Sequence, residues 1–304
     1  MKKKSDSVPS SSVSGLRRRR HLVQALGALV VNGNFQGFVR GSIYTGDLKA
    51  VCVPVLNCYS CPGALGACPI GSLQAVANSG RFNLSFYVVG LLTLFGMTLG
   101  RWFCGWLCPF GWIQEILHRI SFFRIRVPKR LHNVLTKLKF VLLAVFVFAL
   151  PLLFRDSYGL SSPAFCKWIC PVGALEAGIP LVAMNAPLQD SIGTLFSWKL
   201  FLLLVTVIGS MGIYRFFCKY ACPLGAFYGL FNPVSTYRMT VSERCIRCNR
   251  CTGVCRMEIE PYKTPNSAEC IRCGDCVKVC PTGALHQGFC HAGFCRTKEN
   301  KTAM

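Results

Sequence analysis

Eight cysteines near the C-terminus fall into two runs of one spacing. Cys245, Cys248, Cys251 and Cys255 read C-x2-C-x2-C-x3-C, and Cys270, Cys273, Cys276 and Cys280 repeat it before Pro281. Three sulfurs two residues apart fit one tight loop and supply three corners of a tetrahedral set, and a fourth cysteine completes it. That is the thiolate supply of an iron–sulfur cubane, whose chemistry is one-electron transfer. A zinc module built from paired C-x2-C hooks is the alternative. It uses four ligands and two hooks, whereas this chain writes two interlocked runs of four.

Most of the other twelve cysteines obey a second rule. Residues 100–114 read GRWFCGWLCPFGWIQ and residues 214–228 read YRFFCKYACPLGAFY, both C-x3-C-P-x-G. Residues 67–75, ACPIGSLQA, and 169–177, ICPVGALEA, carry the related turn, and Cys280 heads a fifth C-P-x-G. Proline fixes φ and lacks an N–H, so it turns the chain just after a ligand. Glycine permits close approach. Backbone amides freed in such a turn can point at cluster sulfurs.

Apolar residues make up 52% of the 304-residue chain, yet its formal net charge is +22. Apolar runs with basic loops characterise a membrane protein. Four segments approach the about 20 residues a helix needs to span a bilayer: 21–44, 82–103, 138–154 and 198–217. Asn32, Asn34, Gln36 and Arg40 in the first must face protein, water or a cofactor. Lys2–Lys4, Arg17–Arg20 and the basic stretch 119–139 flank spans on one side, which places both termini in the cytoplasm. Arg17–Arg20 is read as a topology anchor, since no small-residue cleavage site follows a short apolar core. Basic residues that flank spans form no single nucleic-acid reading surface, so no nucleic-acid partner is expected.

Span, outer motif, span, inner motif occurs twice in order, which marks an internal duplication. The expected fold is mainly α: four transmembrane helices as a tandem two-helix repeat, plus a C-terminal α+β two-[4Fe-4S] domain. The boundaries are a basic tail at 1–20, a membrane domain at 21–235, the cluster domain at 236–289 and a tail at 290–304. Pairing the halves brings Cys104, Cys108, Cys218 and Cys222 together on the inner face. The outer set takes Cys166 and Cys170 from the second half. It takes Cys68 and Cys61 from the first, with Cys58 as substitute, because Ala64 occupies the position matching Cys166. Plain packing is the alternative for the inner thiols, and a disulfide (Cys166–Cys170 or Cys58–Cys61) for the outer ones. Cys52, Cys290 and Cys295 are read as spare thiols.

The C-terminal runs resemble those of two-cluster ferredoxins, in which the fourth cysteine of each run ligates the other cluster. The resemblance implies one set of Cys245, Cys248, Cys251 and Cys280 and another of Cys270, Cys273, Cys276 and Cys255. Arg256 departs from it, standing where proline would follow Cys255. With the spans and the C-x3-C-P pairs, nearly the whole chain after residue 20 resembles the NapH/NosR-type membrane-bound polyferredoxins, a quinol dehydrogenase ferredoxin subunit family. The outer segment 57–75 is richer in cysteine than a minimal member needs.

The resemblance implies an electron-transfer subunit of an oxidoreductase in a bacterial or archaeal cytoplasmic membrane. It would link a cytoplasmic donor or the quinone pool to redox partner proteins on one or both faces, a flavoprotein or cytochrome among them. Four [4Fe-4S] clusters are expected, with a quinone as a further candidate. For quinone chemistry, His118 and His132 are candidate proton acceptors, and Asn32, Asn34 and Gln36 are candidate head-group partners. No histidine lies mid-span to ligate a haem. The alternative function is a metal-handling or assembly factor for a respiratory complex. A solute transporter finds little support, because the spans lack acidic residues for an ion pathway.

Overall fold

The computed structural model describes residues 10–78, 83–121, 123–125, 127–154, 162–291 and 294–295. Lys2–Lys4 and the tail beyond residue 295 lie outside them. Helices dominate, and the described residues form two compact units. One comprises the described residues within 10–23, 96–106 and 228–295, and the other those within 24–95 and 107–227.

The second unit carries the repeat. Two of its helices are long and apolar enough to cross a membrane, Lys129–Leu153 and Thr194–Gly212. They correspond to the third and fourth expected spans. The first two expected spans come out differently. The N-terminal helix runs over Ser10–Val31, so Arg17–Arg20 lie inside it instead of ahead of it. It stops where the Asn32 side chain turns back on the Ala28 carbonyl and Asn34 N–H bonds the Gly63 carbonyl. In the second, the apolar helix Asn83–Leu99 ends at Gly100, whose φ of +54° breaks the helix before Trp102–Trp106.

Each of the four C-P-x-G motifs outside the C-terminal runs begins a helix: Pro69–Asn78, Pro109–Ile120, Pro171–Gly173 and Pro223–Phe231. Proline suits the first helical position because its missing N–H would have no intrahelical partner there. Pro69–Asn78 packs on the Leu143–Ala149 segment of the third expected span, and Pro109–Ile120 packs on Thr194–Gly212. Helices that follow first-half motifs thus lean on second-half spans. Leu143–Ala149 and Ala174–Gly178 are wound as π-helix, a widening that redirects side chains.

The first unit is built around the C-terminal runs. Strand β1 (Tyr237–Val241) pairs antiparallel with β2 (Leu285–His291), in register from Tyr237↔Phe289 to Val241↔Leu285. A two-residue β3 (Phe294–Cys295) adds to β2 and sets Cys295 opposite Cys290. Cys290 is disulfide-bonded, which corrects its reading as a spare thiol. The small core consists of Met239, Leu285 and three cysteines, Cys251, Cys270 and Cys276. Buried arginines tie the rest together. Arg272 donates to the carbonyls of Leu99 and Asn232, both at 2.9 Å, and to Ser235 Oγ. Arg101 donates to the Ala268 carbonyl at 2.7 Å and pairs with Glu269 at 3.2 Å.

Candidate iron–sulfur sites

The cysteine runs curl because two residues in each adopt left-handed backbone. Arg247 and Asn249 flank Cys248, and Arg272 and Gly274 flank Cys273, all with positive φ. Consecutive left-handed turns of this kind direct backbone N–H groups into the concavity, which suits an anionic cluster. Two cavities result. One, of about 320 Å3 and partly open to solvent, is lined by Cys245, Cys248, Cys251 and Cys280 with Ile246, Tyr262 and Leu285. The other, of about 340 Å3, is lined by Cys255, Cys270, Cys273 and Cys276 with Met239, Met257 and Ile259. Each cavity takes three cysteines from one run and the fourth from the other, the crossed pattern expected of two-cluster ferredoxins.

These cavities fit a cubane: four sulfurs, an apolar wall and amide donors. Ala284 N–H, for example, donates to Cys280 Sγ at 3.2 Å. Among the described residues, no group of His, Cys, Asp or Glu side chains closes on a point that would hold a single metal ion. A cubane's four sulfurs stand on separate irons and so spread wider. Burial, with the Asp275 carboxylate adding to it, pushes the Cys273 thiol up to about 11, and burial raises Cys270 too. Iron must therefore displace protons from these thiols as it binds.

In the second unit, Cys58 meets the second-half motif. A Cβ on Gly173 of the C-P-V-G turn would lie 3.8 Å from Cys58 Sγ. Cys170 sits within electrostatic reach of Cys166, Cys68 and Cys58. Cys61 turns instead to Asn32 Oδ1 at 3.6 Å. The structure therefore gathers four thiols, Cys58, Cys68, Cys166 and Cys170, while Cys61 lies within electrostatic reach of Cys58. None of these four is disulfide-bonded. The glycine of the motif also serves as expected. Gly225 N–H donates to Cys222 Sγ at 3.4 Å, and the Gly71 and Gly173 amides bond Cys68 and Cys170.

Of the inner four, Cys108, Cys218 and Cys222 belong to the second unit and Cys104 to the first. The buried Arg215 guanidinium lies within electrostatic reach of Cys218 and Cys108. Reading the sequence for ligands alone missed Arg215, Glu115, Gln74 and Gln114. The signal was their fixed distance from the cysteines: Arg101 and Arg215 each stand three residues before a hook cysteine, Cys104 and Cys218.

Four of the five quinone candidates have partners within the protein. His118 Nδ1 lies 3.2 Å from the Met211 carbonyl and His132 Nδ1 3.0 Å from the Tyr220 hydroxyl. Asn34 donates to the Pro62 carbonyl at 2.9 Å, and Asn57 to Asn32 Oδ1 at 3.1 Å. These asparagines hold the outer cysteine loop.

Models of the 4Fe-4S binding domain match residues 82–130, 138–179 and 194–236, and a second 4Fe-4S binding domain matches 264–286. The first matches cover three of the four C-P-x-G motifs outside the C-terminal runs. An uncharacterized protein of Methanocaldococcus jannaschii is 32% identical over 187 residues, covering 60% of this chain and 68% of its own. The methylamine utilization ferredoxin-type protein MauN of Methylorubrum extorquens is 26% identical over 251 residues, 78% of this chain and 73% of MauN. The ferredoxin-type protein NapH of Escherichia coli is 27% identical over 195 residues, 62% of this chain and 59% of NapH. Several further relatives are much longer than the stretch that matches. No solved structure matches the chain significantly. On these motifs, cavities and relatives, the chain belongs to the NapH/NosR-type family of 4Fe-4S ferredoxin-type electron-transport proteins.

Proposed function

We propose that this protein is a membrane-anchored electron-transfer subunit that takes one electron at a time from a donor on one face and passes it to a redox partner on the other. The observation that carries this is the lining of the two C-terminal cavities by crossed cysteine quartets. Clusters bound there would supply reversible one-electron chemistry. The protein's own residues hold the sulfurs, exclude water with Met239, Ile259 and Leu285, and aim backbone amides at the thiolates.

Membrane anchoring is supported by Lys129–Leu153 and Thr194–Gly212. Only 28% and 22% of their apolar windows are buried within the protein. Apolar surface on that scale needs a cover, and a lipid core about 30 Å thick matches the length of such helices. We assign the third ligand set to Cys58, Cys68, Cys166 and Cys170. The fourth, Cys104, Cys108, Cys218 and Cys222, rests on the repeated C-x3-C-P-x-G spacing. The bacterial or archaeal cytoplasmic membrane, cytoplasmic termini and oxidoreductase partners follow from the basic flanks and the family. A quinone finds less support, since four of the five candidate side chains, His118, His132, Asn32 and Asn34, are engaged within the protein.

Iron counting on anaerobically purified full-length protein tests the reading. Four cubanes give about sixteen irons per chain. About eight irons, confined to the C-terminal runs, would sink both membrane sets. A chelatable metal with no reversible redox signal would instead favour an assembly factor.

A further inference from the structure

The residue six positions beyond each of the four C-P-x-G cysteines outside the C-terminal runs reaches toward a hook in the other half of the repeat. Gln74 follows Cys68 in this way. Its Oε1 accepts Phe165 N–H at 2.9 Å, and its Nε2 donates to Cys166 Sγ at 3.2 Å. Gln114 stands at the same place after Cys108. Its Oε1 accepts Phe217 N–H at 3.0 Å, and its Nε2 donates to Cys218 Sγ at 3.1 Å. In the third motif the residue is Glu176, set in the π-wound segment, and its Oε2 accepts Cys58 N–H at 2.7 Å. In the fourth it is Tyr228, whose ring packs on Phe103, the residue before Cys104, with centroids 6.1 Å apart.

The two glutamines are locked. Each is 1% exposed. Each also donates to the carbonyl one turn earlier, Gln74 to Ile70 at 3.2 Å and Gln114 to Phe110 at 3.3 Å. A backbone N–H can only donate, so the amide oxygen must face it and the NH2 group is turned onto the sulfur. The contact is therefore not an arbitrary amide flip.

We propose that Gln74 and Gln114 are positioning residues that clasp the second-half hooks and donate to a cluster-ligating sulfur, raising the reduction potential of the cluster held there. A donor aimed at a thiolate favours the more negative, reduced state. The inference rests on the reading of these cysteines as cluster ligands. Glu176 and Tyr228 carry no side-chain N–H, which makes the two halves chemically unequal: both glutamines at this position donate to second-half cysteines.

The test is a redox titration, followed by electron paramagnetic resonance, on the anaerobic full-length protein and its Gln74→Glu, Gln74→Leu, Gln114→Glu and Gln114→Leu variants. The Glu variants keep an acceptor for the hook N–H, lose the donor and retain full iron. The uncharged Leu variants separate loss of the donor from the effect of an added charge. The expected result is a lower midpoint in both variants of a pair, at one signal for Gln74 and at another for Gln114. Midpoints unchanged at full iron content, or shifted only by Glu, would overturn it. Iron counting on the parent protein comes first. About eight irons per chain would remove the ligand reading itself, a failure distinct from unmoved midpoints at about sixteen.

Discussion

Arg215 and Glu115 form an ion pair sealed from solvent on both sides: the guanidinium Nε donates to Glu115 Oε1 at 2.7 Å, and the side chains are 0% and 1% exposed. Glu115 belongs to the helix that follows Cys108, and Arg215 stands just before the hook of Cys218. The pair therefore pins one half's helix to the other half's cysteine motif. Removing one partner of a buried pair strands the other charge, at a cost of about 3–5 kcal/mol. Glu115→Ala is expected to lower the unfolding free energy of the solubilised protein by that amount. The double variant Glu115→Ala/Arg215→Met should recover most of it. Equal losses in the single and double variants would show that the pair does not act as a unit.

Cys58 and Cys61 make a discriminating pair of substitutions. Cys58→Ser should remove about four irons per chain, one cubane's worth. Cys61→Ser should leave the count unchanged, because its thiol faces Asn32. The reverse pattern would restore Cys61 as the ligand.

Gly105 lies between Cys104 and Cys108, and a Cβ there would fall on the Ile271 carbonyl. That carbonyl cannot retreat easily, since Cys270 and Arg272 on either side are buried. Overpacking of this kind costs about 1–3 kcal/mol. Gly105→Ala should therefore lower the thermal midpoint and broaden the signal of the cluster held by Cys270, Cys273 and Cys276. A variant with parent stability and spectrum would refute the contact.

Asn34 separates a ligand-binding role from a scaffolding one. Its side chain holds the Pro62 carbonyl, and its N–H holds Gly63. Asn34→Leu is expected to reduce the iron retained by Cys58, Cys68, Cys166 and Cys170. Full iron with selectively lost menaquinol oxidation would instead identify a quinone site.

Spacing made the two cysteine runs legible as ligand runs. Their crossed pairing came from the resemblance to two-cluster ferredoxins, and the linings of the two cavities follow the same pattern. The outer set was less legible, because Cys58 and Cys61 differ in sequence by one hook residue and only the path of residues 57–68 decides between them. The bounds of the first two expected spans differ from those of the helices for a related reason. Hydropathy averages over a window, whereas Gly100 and Asn32 act as single-residue stops. The glutamine clasps stood in plain view at a constant offset from the two first-half motifs, but that offset carries meaning only once the two halves face each other.

The C-terminal unit's core is made largely of the cysteines that would bind metal: Cys251, Cys270 and Cys276 pack with Met239 and Leu285. Without iron these positions leave two hollows where a larger domain would have side chains, and so small a core stabilises little by itself. Metal binding free energy is then folding free energy. Iron supply should accordingly govern how long this protein survives proteolytic surveillance in the cell, so that starvation lowers its abundance before any loss of redox capacity per molecule becomes visible.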